Sequence, residues 1–175
     1  MISKENEKLL NTVLQDLHKS TLAIPVLKEY KVLNEKTGAL LVAKSEDNSV
    51  EQYLEDGQLE ENETFKDRLK KVLKETKQSM KKYGFEEKDL KYIETFKGKL
   101  FKYELYLQDN IKNNIIVRQI NAYFVEPESR YFYEITLSAP AMPLSMVNEN
   151  VTDNIYARLK VILTNVKYND KNPLK

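Results

Sequence analysis

Residues 101–138 read as three consecutive strands, opening on a clean apolar–polar alternation, and residues 148–168 then switch to helical spacing. A proline-broken loop, Ala139-Pro140-Ala141-Met142-Pro143, separates the two periods. Period-two alternation requires a sheet, and stretches joined by short turns require an antiparallel one. A following helix with one apolar face must bury that face on the sheet. The expected fold is α+β: an antiparallel sheet of about five or six strands, packed by a long central helix and a C-terminal helix, with an extra helix at the N-terminus.

The alternation is cleanest at Phe101, Tyr103, Leu105 and Leu107, which face away from Lys102, Glu104, Tyr106 and Gln108. Asp109-Asn110 and Asn113-Asn114 punctuate the chain there. The strand from Ile115 to Val125 is bulky on both sides, with Ile116, Ile120 and Phe124 on one and Val117, Tyr123 and Val125 on the other. Such a strand lies mid-sheet or borders a groove. Glu126-Pro127-Glu128-Ser129 makes a turn, after which Tyr131, Tyr133, Ile135 and Leu137 oppose Phe132, Glu134, Thr136 and Ser138. In the closing helix Val151, Ile155, Leu159, Ile162 and Val166 share a face, and Asn148 and Asn150 are the N-cap candidates. Phe101, Tyr103, Leu105, Ile135, Leu137, Ile155, Leu159 and Ile162 are therefore expected to form one core.

Upstream, Leu9, Leu10, Val13, Leu14 and Leu17 predict a helix over residues 4–18. Val26 to Leu33 and Ala39 to Ala43 flank a turn at 34–38 and read as a hairpin. Residues 44–63 read as a polar loop, with one helical turn at most around Val50, Tyr53 and Leu54. Thr64 and Asp67 form a capping-box pattern. Phe65, Leu69, Val72, Leu73, Thr76, Met80 and Tyr83 then line one stripe of a long helix, which Gly84 ends in a left-handed cap. Leu90 to Thr95 reads as a further strand.

Net charge is only +1, but the charge is segregated. Residues 46–63 hold eight acidic residues and no basic one, and residues 66–82 hold eight basic residues against Asp67 and Glu75. A solvated loop and a solvated helix face explain this, since acid before a helix complements its dipole. Read functionally, the basic helix is an interface for an acidic partner or nucleic acid, although the acidic stretch beside it partly cancels its field.

Catalytic patterns are missing. The absence of Cys excludes disulfides, thiol catalysis and Cys-ligated metal. His18 is the single histidine, set among leucines with no cue for a partnering acid or nucleophile. No HExxH or EF-hand spacing occurs, and Glu46-Asp47-Asn48 lacks the alternating ligands and sharp turn of a Ca²⁺ loop. Four glycines, each with a turn or cap explanation, make no phosphate loop. The expectation is a non-enzyme with no catalytic residues, metal or cofactor. No apolar run reaches membrane-spanning length, and no secretory leader follows Met1, so a cytoplasmic protein without membrane insertion is expected.

The aromatic cluster Tyr123, Phe124, Tyr131, Phe132 and Tyr133 reads first as core. Basic residues are too sparse around it for a nucleic-acid stacking platform. An apolar partner groove is the functional alternative. Its candidate residues are Ile116, Ile120, Phe124 and Phe132 on the sheet and Met142 and Met146 in the loop, because methionine-bearing surfaces adapt to varied apolar segments. Such a patch would be partly exposed or covered in a homodimer.

The stretch VRQINAYFVEPESRYFYEITLSAP, followed by NVTDNIYARLKVILTNVKY, resembles the C-terminal half of the PsbP-like fold. The residues that carry the resemblance are two long paired strands, the Thr136-Leu137-Ser138-Ala139-Pro140 turn and a final helix. The nearest branch is DcrB-like, which includes bacterial lipoproteins and the cytosolic Eag chaperones of type VI secretion. The likeness extends over residues 22–168 of a single 1–175 domain, whose 4–18 helix and frayed 169–175 tail lie outside the likeness. It implies a non-enzymatic domain whose partner is a protein: an adaptor or chaperone for a secreted toxin or other secretion substrate. The alternatives are an immunity protein or antitoxin that plugs a toxin, favoured by the acidic stretch 46–63, and a small-molecule or lipid-binding domain using the sheet–helix cleft.

Overall fold

The computed structural model describes residues 22–26, 29–33, 41–44 and 49–168, with side chains over residues 49–167. The predicted 4–18 helix, His18, Glu46-Asp47-Asn48 and the 169–175 tail lie outside the described residues. The elements are β1 (Leu22–Val26), β2 (Glu29–Leu33), β3 (Leu41–Lys44), β4 (Val50–Gln58), α1 (Phe65–Lys82), β5 (Lys91–Lys97), β6 (Lys102–Lys112), β7 (Ile115–Val125), β8 (Tyr131–Ser138), β9 (Met142–Pro143), a 3₁₀ turn (Leu144–Met146), α2 (Glu149–Thr164) and β10 (Lys167–Tyr168).

The main sheet is antiparallel in the order β3-β4-β8-β7-β6-β5, with the short β9 pairing β7. Strands β5 to β8 form a meander of adjacent strands. Asn113 and Asn114, at φ 53° and 61°, make the tight β6–β7 turn. Asp109 and Asn110 do not break the chain; they lie within β6, opposite Arg118 and Val117. The β7–β8 turn closes with Arg130 at φ 62°, its N–H donating to the Glu126 carbonyl at 2.7 Å.

The α+β expectation holds, and the two helices cover opposite faces of the sheet. On one face α2 buries Ile155, Leu159, Ile162 and Leu163 against Tyr103, Leu105, Ile120, Ala122, Phe124, Ile135 and Leu137. All eight residues expected to share a core do so. Each such side chain contributes roughly 1.5–3 kcal/mol of burial. On the other face α1 places Leu69 and Val72 over Tyr123 and Phe132, with the Phe65 ring tilted 32° to the Phe132 ring at 5.5 Å. The chain that leaves β4 near one edge crosses under this face as α1 and returns as β5 at the other edge.

The ends of α1 follow the sequence pattern closely. Thr64 Oγ1 accepts from the Asp67 N–H at 3.2 Å, and Asp67 Oδ2 accepts from the Thr64 N–H at 3.1 Å. Gly84 sits at φ 80°, Phe85 N–H reaches the Met80 carbonyl, and Gly84 N–H reaches the Lys81 carbonyl. These paired bonds satisfy carbonyls that the helix leaves open.

Two expectations are corrected. The loop expected over 44–63 is largely the nine-residue strand β4, paired with β3 on one side and β8 on the other. Glu51, Tyr53 and Glu55 form its buried face. Acidic residues at alternate positions conceal the apolar alternation, and only pairing with a strand some eighty residues away reveals it. The hairpin expected between 26–33 and 39–43 does not form either. β2 pairs β1, in a three-stranded sheet with β10, while β3 joins the main sheet.

The acidic stretch ends in a structural clamp. Arg68, buried under the turn, donates to both Glu63 carboxylate oxygens (3.0 and 2.7 Å) and to the Asp56 and Gln58 carbonyls. Arg130 donates to the Glu60, Glu61 and Glu63 carbonyls. The Arg68 hydrogen bond holds the Glu63 carboxyl below the usual carboxylate range. These acids therefore fasten the start of α1 to the β7–β8 turn.

Candidate functional site

The six proposed groove residues do not share a surface. Ile116, Ile120 and Phe124 are buried on the α2 face, and Phe132 is buried on the opposite face beneath α1. β7 is indeed apolar on both sides and lies mid-sheet, but each side already carries a helix. Alternation makes adjacent strands share faces by register: Phe124 pairs Tyr133, so Phe132 points the other way. The methionine loop does not lie over the sheet either. It is pinned as β9 to the start of β7, Met142 opposite Ile116, with Leu144 N–H bonded to the Asn114 carbonyl. Met142 packs on the edge of the core, and Met146 alone of the six is exposed.

A cleft of ≈810 Å³ opens instead where α2 leaves the sheet, beside the edge strand β5. Ile93 and Leu107 line it from the sheet, and Tyr156 and Ala157 from the helix. The β5–β6 register shifts at Ile93, between Tyr92 and Glu94. A bulge of this kind re-aims a side chain, here one that lines the cleft.

The polar end of the cleft is organised by Arg118. Its Nε and Nη2 donate to Asp109 Oδ1 and Oδ2 at 2.8 and 3.0 Å, and its Nη1 donates to Thr152 Oγ1 at 2.8 Å. Lys88 Nζ stands 3.7 Å from Asp109. The Asp109 hydrogen bond raises the Arg118 pKa further above its already high value. At the other end the Tyr156 hydroxyl donates to Glu94 Oε1, and Lys160 Nζ lies 4.3 Å from the Tyr156 ring centroid. Burial, reinforced by Glu94, raises the Tyr156 phenol. Lys88, Lys91, Arg118 and Lys160 thus face Asp109, Glu149 and Asp153. This mixed lining can hold polar and apolar groups of a ligand together.

β5 is the end strand of the main sheet, and no described strand pairs its outer side. Lys91, Tyr92, Glu94, Thr95 and Lys97 are exposed. The cleft and the open edge were not legible in sequence, because Arg118 and Thr152 are far apart in the chain and meet only through packing. Alternating Lys, Glu and Thr on a short strand is the one signal for an edge.

Among the described residues, no group of His, Asp and Glu side chains is disposed to hold a metal ion. No described helix is long and apolar enough to cross a membrane.

Among solved structures the chain is similar to one described as the crystal structure of LpqN involved in cell envelope biogenesis of Mycobacterium tuberculosis. The identity is 14%, the TM-score is 0.43, and the match covers 84% of this chain and 82% of that one. No protein-family model and no curated protein matches the sequence.

Proposed function

We propose that this protein is a non-enzymatic binding domain that holds an extended segment of a partner protein along β5. The observation that carries this reading is the adjacency of two features: an open strand edge, and a mixed polar–apolar cleft lined by Ile93 of that same strand. Main-chain pairing to an edge gives affinity, and a side-chain pocket beside it gives selectivity. The lysines at both ends of β5 and the bulge at Ile93 limit indiscriminate pairing. The partner, a secreted toxin or other secretion substrate, is taken from the resemblance to the DcrB-like chaperones, and a cytoplasmic adaptor or chaperone goes with it.

Site-specific photocrosslinkers at Thr95 and Ala157 test this reading in the native cell. A defined polypeptide captured from both positions, and not from exposed Asn154 on α2, is the supporting result. Capture of general chaperones alone, or equal capture at Asn154, sinks it. Ala157→Trp, which fills the cleft from an exposed position, should abolish the crosslink at Thr95 while leaving the melting temperature unchanged.

A further inference from the structure

A second cavity, of ≈350 Å³, lies on the other face of the sheet, between the C-terminal half of α1 and strands β4, β6 and β8. Thr76, Ser79, Met80 and Tyr83 wall it from the helix side, and Gln108, Asn110 and Glu134 line it from the sheet.

Its floor is unusual for a sheet face under a helix. Where Tyr123 and Phe132 lie below α1, packing is apolar. Further along, the face changes to amides and hydroxyls. Gln108 Nε2 donates to Asn110 Oδ1, Asn110 Nδ2 to Gln119 Oε1, Gln119 Nε2 to Asn121 Oδ1, and Asn121 Nδ2 to Gln108 Oε1, each at 2.8 Å. Thr136 Oγ1 adds a bond to Asn121 Oδ1 at 3.0 Å. Asn121 is fully buried, and Gln108 and Asn110 are more than nine-tenths buried. A closed ring of amides fixes every member's orientation. The result is a rigid polar floor beneath a gap.

The charge lining the gap has one sign. Asp56, Glu75 and Glu134 border it, and no Lys or Arg does, although α1 carries seven lysines. Asp56 has Arg68 3.6 Å away. Glu134 has no ion pair among the described residues. Thr136 Oγ1 lies 3.0 Å from its Oε1 but shares its one proton with Asn121 Oδ1, and no described group donates to Oε2. Desolvation of this half-buried carboxyl, with Asp56 adding to it, pushes its pKa up to about 7. A cationic ligand would supply the missing counter-charge. Asn110 Oδ1, which among the described residues accepts only from Gln108, keeps a lone pair for a second N–H. Tyr83 and Phe85 add aromatic rings to the lining, a residue type that attracts cations.

We propose that this cavity binds an alkylammonium group, with Glu134 as its counter-ion and the Gln108–Asn110 floor receiving its remaining N–H bonds. The site lies across the sheet from the β5 cleft and stands or falls independently of it. A free small amine and a lysine side chain present the same chemistry.

Isothermal titration of the full chain at pH 8 separates these sources, with 1,4-diaminobutane as one probe and Nα-acetyl-lysine N-methylamide as the other. Saturable binding of either supports the site, and the tighter probe identifies the source. Uncharged 1,4-butanediol should not bind. Glu134→Gln should weaken binding at least tenfold, and Ser79→Trp, an exposed wall position, should abolish it without touching the floor. Lowering the pH from 8 to 6 should also weaken it as Glu134 takes up a proton. Asp56 and Glu75 are the other carboxyls facing Glu134 across the gap, and the Tyr123 phenol beside it stays neutral throughout. Binding by neither amine, equal binding of 1,4-butanediol, or undiminished binding by a folded Glu134→Gln overturns the proposal.

Discussion

Arg118 and Asp109 stand directly opposite each other in the β6–β7 ladder and are joined by two parallel hydrogen bonds, while the third arm of the arginine reaches Thr152 on α2. One side chain therefore ties the sheet to the helix above it. Both partners are largely withdrawn from solvent. Removing one member of such a pair leaves the other charged and poorly solvated, a cost well above the worth of the bond itself. Arg118→Met should lower stability by about 3 kcal/mol, read from urea midpoints. Arg118→Met combined with Asp109→Leu should recover most of the loss. No recovery would mean that the Thr152 anchor dominates.

The α2 core predicts a sharp contrast between buried and exposed positions. Leu159 is fully buried among the sheet residues, so Leu159→Ala should cost roughly 2–5 kcal/mol. Ile120→Asp and Phe132→Asp should each abolish cooperative thermal unfolding, because each places a charge under a helix. Met146→Lys should shift stability by less than about 0.5 kcal/mol, since Met146 is exposed. A cooperative melt for either aspartate variant would contradict the two-helix sandwich.

Glu134 makes stability depend on pH with a definite sign. Its folded pKa is raised to about 7 from 4.5, so the folded state holds a proton that the unfolded state has released between those values. Stability from this group therefore falls as pH rises through that window. Glu134→Gln keeps the shape and removes the penalty. The variant should be more stable than the parent by on the order of 2 kcal/mol above pH 7, and the difference should vanish below about pH 4.5. Urea midpoints of both proteins across pH 4–8 supply the check, and a constant difference would show that Glu134 ionises freely.

The two ends of α1 should respond separately. Thr64→Ala removes the hydroxyl of the capping box and should cost about 1 kcal/mol. Gly84→Ala meets no crowding, since an added Cβ would find only Lys112 atoms 3.5 Å or more away. Its cost, roughly 1–2 kcal/mol, comes from a left-handed backbone alone. Measured by chemical denaturation, the two losses should add, because the sites are a helix length apart.

Much of the architecture was visible in local pattern. The capping box at Thr64, the stop at Gly84 and the period-two run from Phe101 depend on neighbours within a few residues, and local sequence reports such contacts directly. The strand β4 was hidden for the opposite reason. Its Glu51, Tyr53 and Glu55 make a buried face only because β8 and β3 flank it, and no short-range rule credits acids to a sheet interior. The same limit applied to the candidate sites. Arg118 with Thr152, and Glu134 with Asn110 and Ser79, come together across distant segments.

That this chain is α+β, where α1 starts and stops, and which residues of β6, β8 and α2 make a common core could all be read from the residues alone. Those outcomes follow from periodicity and capping, which act within a turn or along a strand. Which faces stay open depends on long-range packing. A strand apolar on both sides is equally suited to a groove and to burial between two helices, and the choice rests on where α1 crosses after β4 and where α2 lands after β8. The polar amide floor and the β5 edge, which no described strand pairs, were left by the same placement, because a helix covers only part of a six-strand path. What it does not cover becomes surface or cavity, whatever the strand pattern alone suggests.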